Sequence, residues 1–553
     1  ARYYAGDYRQ AREPFAAYRR LLPSGETPRR DALYMEALAD YRCGVFTPVP
    51  GLLGDVAGPD DALTQNAYLH MGLAYLQLAD KNKARMAFEQ AAASDADPGV
   101  KEQAAYNYAL CIHETAFDPF GQSVGVFERF LNDYPRSPYA DRISGYLVDV
   151  YLTTRSYGAA LESIERIARP GTTLLKAKQR ILFQIGTQQF AGGQLAESIG
   201  SFTKSIALGN LDAGTRGDAL YWRGEAYYRT GQMDKAEADL NAYRSLSVGR
   251  GTQTYALAYY NLGYIAFHRK QYDLARERFL EFLRQDQEHS NDLLADACNR
   301  VGDCYLQGRY FDEAARYYTR AESMGAATGD YSYYQLALVA GLQKDYHGKV
   351  RLLGQLAERY PSSSYLADAL YETGRAYVQD GDSRRAIDAF KRLVKRYPDS
   401  PVSRKAAAEI GLLYYQNGDY NRAVSAYKDV LTDYPGSEEA RLALRDLKSI
   451  YVDANRVDEF ARLVASLPGQ VRFEASEQDS LTYVAAERQY MKGNDEAAKQ
   501  SFEHYLTAYP DGAFGLNAHY NLCLLAKKRG DEEQVLTHAG SVLRYPDSPY
   551  AEE

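Results

Sequence analysis

The side chains able to do chemistry are few and scattered along the 553 residues: eight histidines and five cysteines. A zinc hydrolase needs two histidines one helical turn apart with a carboxylate beside the first, because that offset turns both imidazoles toward one ion. His113-Glu114 begins this pattern and goes no further, since no second histidine follows on the same face. Cys298 and Cys304 stand six residues apart, which on a helix places them about 240° apart around the axis, too far round to bond each other. No Cys-x-x-Cys pair and no phosphate-cradling Gly-x-x-x-x-Gly-Lys loop occurs, and Gly249-Arg250-Gly251 reads as a connection between helices. Five cysteines make no disulfide framework and fit a reducing or an oxidising compartment equally. The expectation is a chain with no catalytic residue, no metal and no cofactor.

Charge points the same way. The net charge is −8, with acids and bases interleaved, so no Lys/Arg block capable of tracking a phosphate backbone stands out and nucleic acid is not expected as a partner. No stretch approaches the ~18 apolar residues of a membrane span. One number asks for an explanation: 50 tyrosines against one tryptophan. Tyrosine packs as a large ring and still bonds at its tip, which suits half-buried positions.

Stepping the chain along itself by 37 to 39 residues supplies the explanation. Gly186, Gly224, Gly263 and Gly302 are 38, 39 and 39 residues apart, and Gly374 and Gly411 are 37 apart. Tyr227, Tyr305, Tyr377 and Tyr414 follow at +3; Ala236, Ala275, Ala314, Ala386 and Ala423 at +12; Phe202, Phe279, Tyr318, Phe390 and Tyr427 at +16. Gly72, Tyr75, Ala84 and Phe88 keep the same grid early in the chain, and Ala486, Ala498 and Phe502 keep it late. Apolar residues at these offsets mark one face each of two successive helices. Gly6-Asp7, Gly381-Asp382, Gly418-Asp419 and Gly530-Asp531 punctuate the pair as a helix stop followed by an acidic start. The second helix ends at Tyr134-Pro135, Tyr360-Pro361, Tyr397-Pro398, Tyr434-Pro435, Tyr509-Pro510 and Tyr545-Pro546. Ser137-Pro138, Ser400-Pro401 and Ser548-Pro549 then read as the cap and first turn of the next helix.

The Gly–Tyr–Ala–Phe–Pro columns resemble the tetratricopeptide repeat, a helix–turn–helix unit of ~34 residues. That resemblance implies an all-α, right-handed α-solenoid of about fourteen units that binds other proteins. Residues 1–60 form degenerate N-terminal repeats, with Pro48, Pro50, Gly51 and Gly54 crowding a second helix. Residues 61–440 form the main array, 441–475 a degenerate repeat, and 476–553 the C-terminal units. Both ends are expected to continue in a longer protein. The junctions Arg396-Tyr397-Pro398-Asp399-Ser400-Pro401 and Arg544-Tyr545-Pro546-Asp547-Ser548-Pro549 are similar to those of bacterial envelope relatives of the Tol–Pal-coordinator and outer-membrane-assembly lipoprotein types. This resemblance implies a periplasmic scaffold with outer-membrane or cell-wall assembly partners. The alternatives are a cytoplasmic adaptor, or the regulatory part of a protein whose catalytic domain lies elsewhere.

Stacked hairpins curve with their first helices inside, so the candidate partner-binding side chains lie on those helices. Three residues before the small-residue column stand Tyr108, Phe183, Tyr221, Tyr260, Tyr334, Tyr371 and Tyr483; four after it stand Phe190, Tyr228, Phe267, Tyr415 and Tyr490. Glu225, Asp303, Arg375 and Glu487 lie one residue after the column. Rings at such positions form either a recognition stripe or padding between helices. A Lys/Asn clamp for a chain terminus is not evident, Asn261 and Asn299 being isolated.

Overall fold

The computed structural model describes residues 2–117, 119–285, 290–467 and 474–552. Among them are 29 α-helices and no strand. The chain falls into two compact units, Ala1–Glu288 and His289–Glu553, a division lying inside the stretch read as the main array. Each unit is a stack of helix pairs, the all-α solenoid expected.

One pair shows why the repeat folds as it does. Helix Leu366–Gln379 ends at Gly381, whose φ of +82° is a left-handed conformation glycine adopts without a side-chain clash. The chain reverses, and the Asp382 carboxylate accepts the N–H of Arg385 at 2.9 Å, capping helix Ser383–Arg396. The second helix lays Phe390 against Gly374, where a β-carbon would collide with the ring. Ala386, Phe390 and Leu393 have no exposed surface. Tyr397 caps the second helix with a backbone outside the helical region and Pro398 forbids its continuation.

The contact recurs through both units. Phe88, Phe202, Phe279, Tyr318 and Tyr427 approach within 2.5 to 2.8 Å of the point a β-carbon would occupy on Gly72, Gly186, Gly263, Gly302 and Gly411. Gly224 meets Leu240 instead, at 3.0 Å, and this smaller partner fits the missing ring in that unit. Asp7, Asp419 and Asp531 cap as Asp382 does. Six other described residues, Ala79, Arg155, Lys270, Arg309, Lys344 and Asn455, reach φ between 53° and 66° with a side chain attached.

Three local expectations are corrected. Ser137-Pro138 lies ahead of helix Ala140–Thr154, where Tyr139 occupies the cap and Ser137 Oγ accepts the Tyr139 N–H at 3.0 Å. Pro401 does open helix Pro401–Gln416, but Ser400 makes no side-chain cap bond. The last helix, Glu532–Val542, stops before Tyr545-Pro546, and a turn rather than a helix follows Ser548-Pro549 among the described residues. In the degenerate N-terminal region a short second helix, Val49–Val56, forms despite its prolines, because Val49, Leu52, Leu53 and Val56 bury against helix Arg30–Arg42 and its successor. In the 441–475 region helices Glu438–Asp453 and Val457–Ser466 form, and 468–473 lie outside the described residues.

First helices also touch one another. Thr172–Ala191 meets Ala213–Arg229, which meets Gln253–His268; in the second unit Leu366–Gln379, Pro401–Gln416, Glu438–Asp453 and Ala475–Met491 form a similar row. The second helices between them make fewer contacts with one another. In each row the first-helix side is therefore the inside of the curve.

Candidate functional site: the face of the first helices

In the first unit, three neighbouring first helices are joined by a chain of side chains. The Phe190 ring meets Trp222 edge-on at 5.1 Å, and the Arg229 guanidinium lies 4.9 Å from the Phe190 centroid, a cation–π distance. Arg229 Nε donates to Glu225 Oε1 at 2.7 Å, while Asn261 Nδ2 donates to Glu225 Oε2. Tyr228 faces His268 at 6.5 Å, His268 faces Tyr264 at 6.2 Å, and Tyr264 faces Tyr260 at 5.1 Å. Rings and charged groups therefore alternate across helix boundaries, and most of the rings are half-exposed.

In the second unit the same face is more polar. Asp303 is buried and accepts the hydroxyls of Tyr318 at 2.7 Å and Tyr331 at 2.8 Å, with Arg300 Nη1 at 2.7 Å. Burial pushes its carboxyl up, against the pull of Arg300. Buried Lys349 pairs with Glu372, whose other oxygen accepts from Arg375 Nη1 at 3.1 Å. Tyr334 stacks on Tyr365 at 5.1 Å.

The sequence candidates separate into classes on this geometry. Phe183, Tyr260, Tyr371 and Tyr483 all rest on the column ring of their own hairpin, with centroids 5.7 to 5.9 Å from Phe202, Phe279, Phe390 and Phe502. Tyr221 packs on Tyr243 at 5.6 Å. Tyr221 and Tyr483 are only 4% and 5% exposed, so these two are helix packing and not open contacts. Asp303 is likewise enclosed by its tyrosines. Tyr108, Phe183, Tyr260, Tyr334 and Tyr371 keep a half-exposed edge, as do Phe190, Tyr228, Phe267, Tyr415 and Tyr490. Glu225 and Glu487 are half-buried and Arg375 is exposed. Trp222, Tyr264, Arg229 and His268 join this face without being among the sequence candidates; the lone tryptophan, two residues before Gly224, is the signal that marks the place.

Three of the five cysteines, Cys111, Cys298 and Cys304, are buried, while Cys43 and Cys523 are half-buried. Burial pushes the Cys111 and Cys298 thiols up to about 11, away from the reactive thiolate. Among the described residues no three His, Cys, Asp or Glu side chains converge to hold a metal ion, and no helix is long and apolar enough to cross a membrane.

The fold defines a class: helical hairpins stacked on their neighbours, the architecture of the helical-repeat solenoids. Models of the tetratricopeptide repeat match residues 183–249, 350–401 and 371–438, and further models of the same repeat match 65–98, 331–363 and 414–482. The matched segments are tetratricopeptide repeats, the building blocks of protein-interaction scaffolds. Among solved structures, the C-terminal part of a TPR repeat-containing protein from Cytophaga hutchinsonii is similar over 47% of this chain and 99% of its own, at 20% identity and a TM-score of 0.39. Pseudomonas aeruginosa pilF is similar over 42% of this chain and 99% of its own, at 16% identity and a TM-score of 0.33. YrrB, titled a TPR protein with an unusual peptide-binding site, is similar over 37% of this chain and 96% of its own, at 18% identity and a TM-score of 0.30. No curated protein matches the chain.

Proposed function

We propose that this chain is a non-catalytic scaffold whose first-helix face binds an extended or helical segment of a partner protein. The observation that carries the reading is the unbroken run from Phe190 through Trp222, Arg229, Glu225 and Asn261 across three helices. A segment laid across it meets rigid apolar edges at one helix spacing and hydrogen-bonding groups between them, the composition of binding hot spots. An open stripe suits a polypeptide; a small molecule needs enclosure on most sides. Phe190, Tyr228 and Phe267 are the contacts, with Tyr371, Tyr415 and Arg375 the corresponding group in the second unit.

The test is site-specific cross-linking. Benzoylphenylalanine at position 228 should capture a discrete partner in cells, while the same group at 310, exposed at the start of a second helix, should not. Capture at both positions alike, or at neither, overturns the reading. Replacing Phe190, Tyr228 and Phe267 together by Ala should abolish capture with little change in melting temperature; loss of both in parallel means that the rings serve packing alone.

The same proposal places the scaffold in the bacterial envelope, with outer-membrane or cell-wall assembly components as partners. The support is the resemblance of the Tyr-Pro-Asp-Ser-Pro junctions at 397–401 and 545–549 to those of envelope relatives. Fractionation of cells expressing the full-length gene decides it: recovery with cytoplasmic markers favours the adaptor reading.

A further inference from the structure

Helix Ser383–Arg396 gathers six cations, Arg384, Arg385, Lys391, Arg392, Lys395 and Arg396, against one acid, Asp388, and all six are exposed. In a chain of net charge −8 this is a local reversal, and it lies on the side of the stack opposite the first-helix face. Beside this helix runs an open groove of about 360 Å³. Its floor is apolar, built by Leu353 and Gly354 of helix Tyr346–Arg359 and by Leu366 and Leu370 of the intervening first helix. Arg392 and Arg396 form its far wall. Arg396 lies over the Tyr397 ring, and among the described residues neither guanidinium forms an ion pair.

We propose that this groove is a second docking site, independent of the first-helix face, and that it takes an acidic polypeptide segment carrying apolar side chains. The two guanidiniums are one helical turn apart, ~6 Å along the groove. Carboxylates at i and i+4 of a helix, or at i and i+2 of an extended segment, repeat at nearly that distance. A guanidinium holds a carboxylate through paired N–H donors, which gives the contact direction as well as charge. The apolar floor distinguishes this ligand from a bare polyanion, which would leave it wet.

Two features of the fold sharpen the assignment. The groove one repeat further on, of about 430 Å³, carries Asp429 and Asp433 where this one carries Arg392 and Arg396. The repeat therefore accepts either sign at these positions, and the arginine pair is not a requirement of packing. Gly354 sits inside a helix with nothing within 4 Å of a β-carbon placed on it. A mid-helix glycine is destabilising, and here no packing contact requires it; its effect is to keep the groove deep.

The test uses the full chain and a fluorescein-labelled peptide of Glu-Glu-Leu repeats, followed by fluorescence anisotropy at low salt. The expected result is saturable binding that weakens about tenfold or more in R392D/R396D, since a charge pair is lost at each position. Gly354→Leu, whose β-carbon meets nothing within 4 Å, should weaken binding about as much without lowering the melting temperature. A Glu-Glu-Ser peptide should bind at least about tenfold more weakly than the leucine peptide. Equal binding of the two peptides overturns the proposal, and so does binding indifferent to both variants. Tighter binding of oligothymidylate, or of phosphatidylglycerol vesicles, through the same arginines also overturns it in favour of a phosphate ligand.

Discussion

Two helical glycines, Gly302 and Gly354, should respond to the same substitution with opposite sign. A β-carbon on Gly302 would lie 2.6 Å from Cε1 of Tyr318, whereas carbon atoms in contact sit ~3.5–4.0 Å apart. The ring must retreat by about 1 Å into a site with no free space, Tyr318 being wholly buried, and overpacking of this kind costs ~1–3 kcal/mol. The displaced ring also loosens the 2.7 Å bond from its hydroxyl to buried Asp303, worth ~1.5–3 kcal/mol for a charged acceptor. Alanine recovers ~1 kcal/mol of helix propensity. Gly302→Ala should therefore destabilise its hairpin by ~2–4 kcal/mol. At Gly354 the added carbon meets nothing within 4 Å, and only the propensity gain of up to ~1 kcal/mol remains. Hydrogen exchange read hairpin by hairpin is the appropriate assay, because a stack of neighbour-only contacts need not unfold as one unit. Helices Asn291–Gln307 and Phe311–Ser323 should exchange about a hundredfold faster in the first variant, and the hairpin of Gly354 slightly slower in the second. Unchanged protection around Gly302, or equal damage at both glycines, would refute the column-packing account.

Other perturbations follow from the same contacts. Ala79 holds φ at 60°, where a side chain crowds the backbone, so Ala79→Gly should stabilise its hairpin by ~1 kcal/mol, seen as slower local exchange. Lys349→Met should cost less than the ~3–5 kcal/mol of a wholly uncompensated buried charge, because Arg375 still donates to Glu372, and the double change with Glu372→Leu should restore most of the loss; chemical denaturation of both variants tests this. His519 and His538 approach with Nδ1 atoms 3.1 Å apart. Burial, followed for His519 by its partner's charge, holds both below the usual histidine range. The unfolded chain then binds protons more readily, so the last hairpin is at full stability above about pH 6.5 and loses it as pH falls through the lowered values. His538→Gln should flatten that dependence in exchange measured from pH 7.5 to pH 5.

Much of the fold was legible because the repeat writes its contacts at fixed offsets. Gly374 with Phe390, or Gly381 with Asp382, can be recognised without coordinates, since a residue with no β-carbon and one able to cap are each demanded by local geometry. The corners at Lys270 and Arg309 were not legible, because backbone hydrogen bonds from Gln271 to Ala266 and from Tyr310 to Tyr305 close a left-handed turn there with a side chain in place of glycine. Ring exposure was illegible for a related reason. Tyr221 and Tyr371 occupy the same column, yet Tyr221 is enclosed by Tyr243 and Trp222 while Tyr371 keeps an open edge. Burial depends on what neighbouring positions contribute, and no single column records it. The cationic wall at 383–396 was legible, six cations to one acid within fourteen residues, and reading the charges as interleaved along the whole chain averaged it away.

The closer contact among first helices than among second helices has a mechanical consequence. In the row from Leu366 to Asp453 each hairpin is held chiefly by its neighbours among the described residues, so a pull along the row is borne largely by the interfaces in series. The curve should open elastically at low force, hinging at the inner contacts while the outer grooves change width. At higher force single hairpins should give way one at a time. Each would release about 37 residues, the spacing from Gly374 to Gly411, and therefore ~130 Å of contour. Stretching the row would alter the width of the groove beside Arg392 before any hairpin was lost, which makes tension itself a means of changing what the outer face can hold.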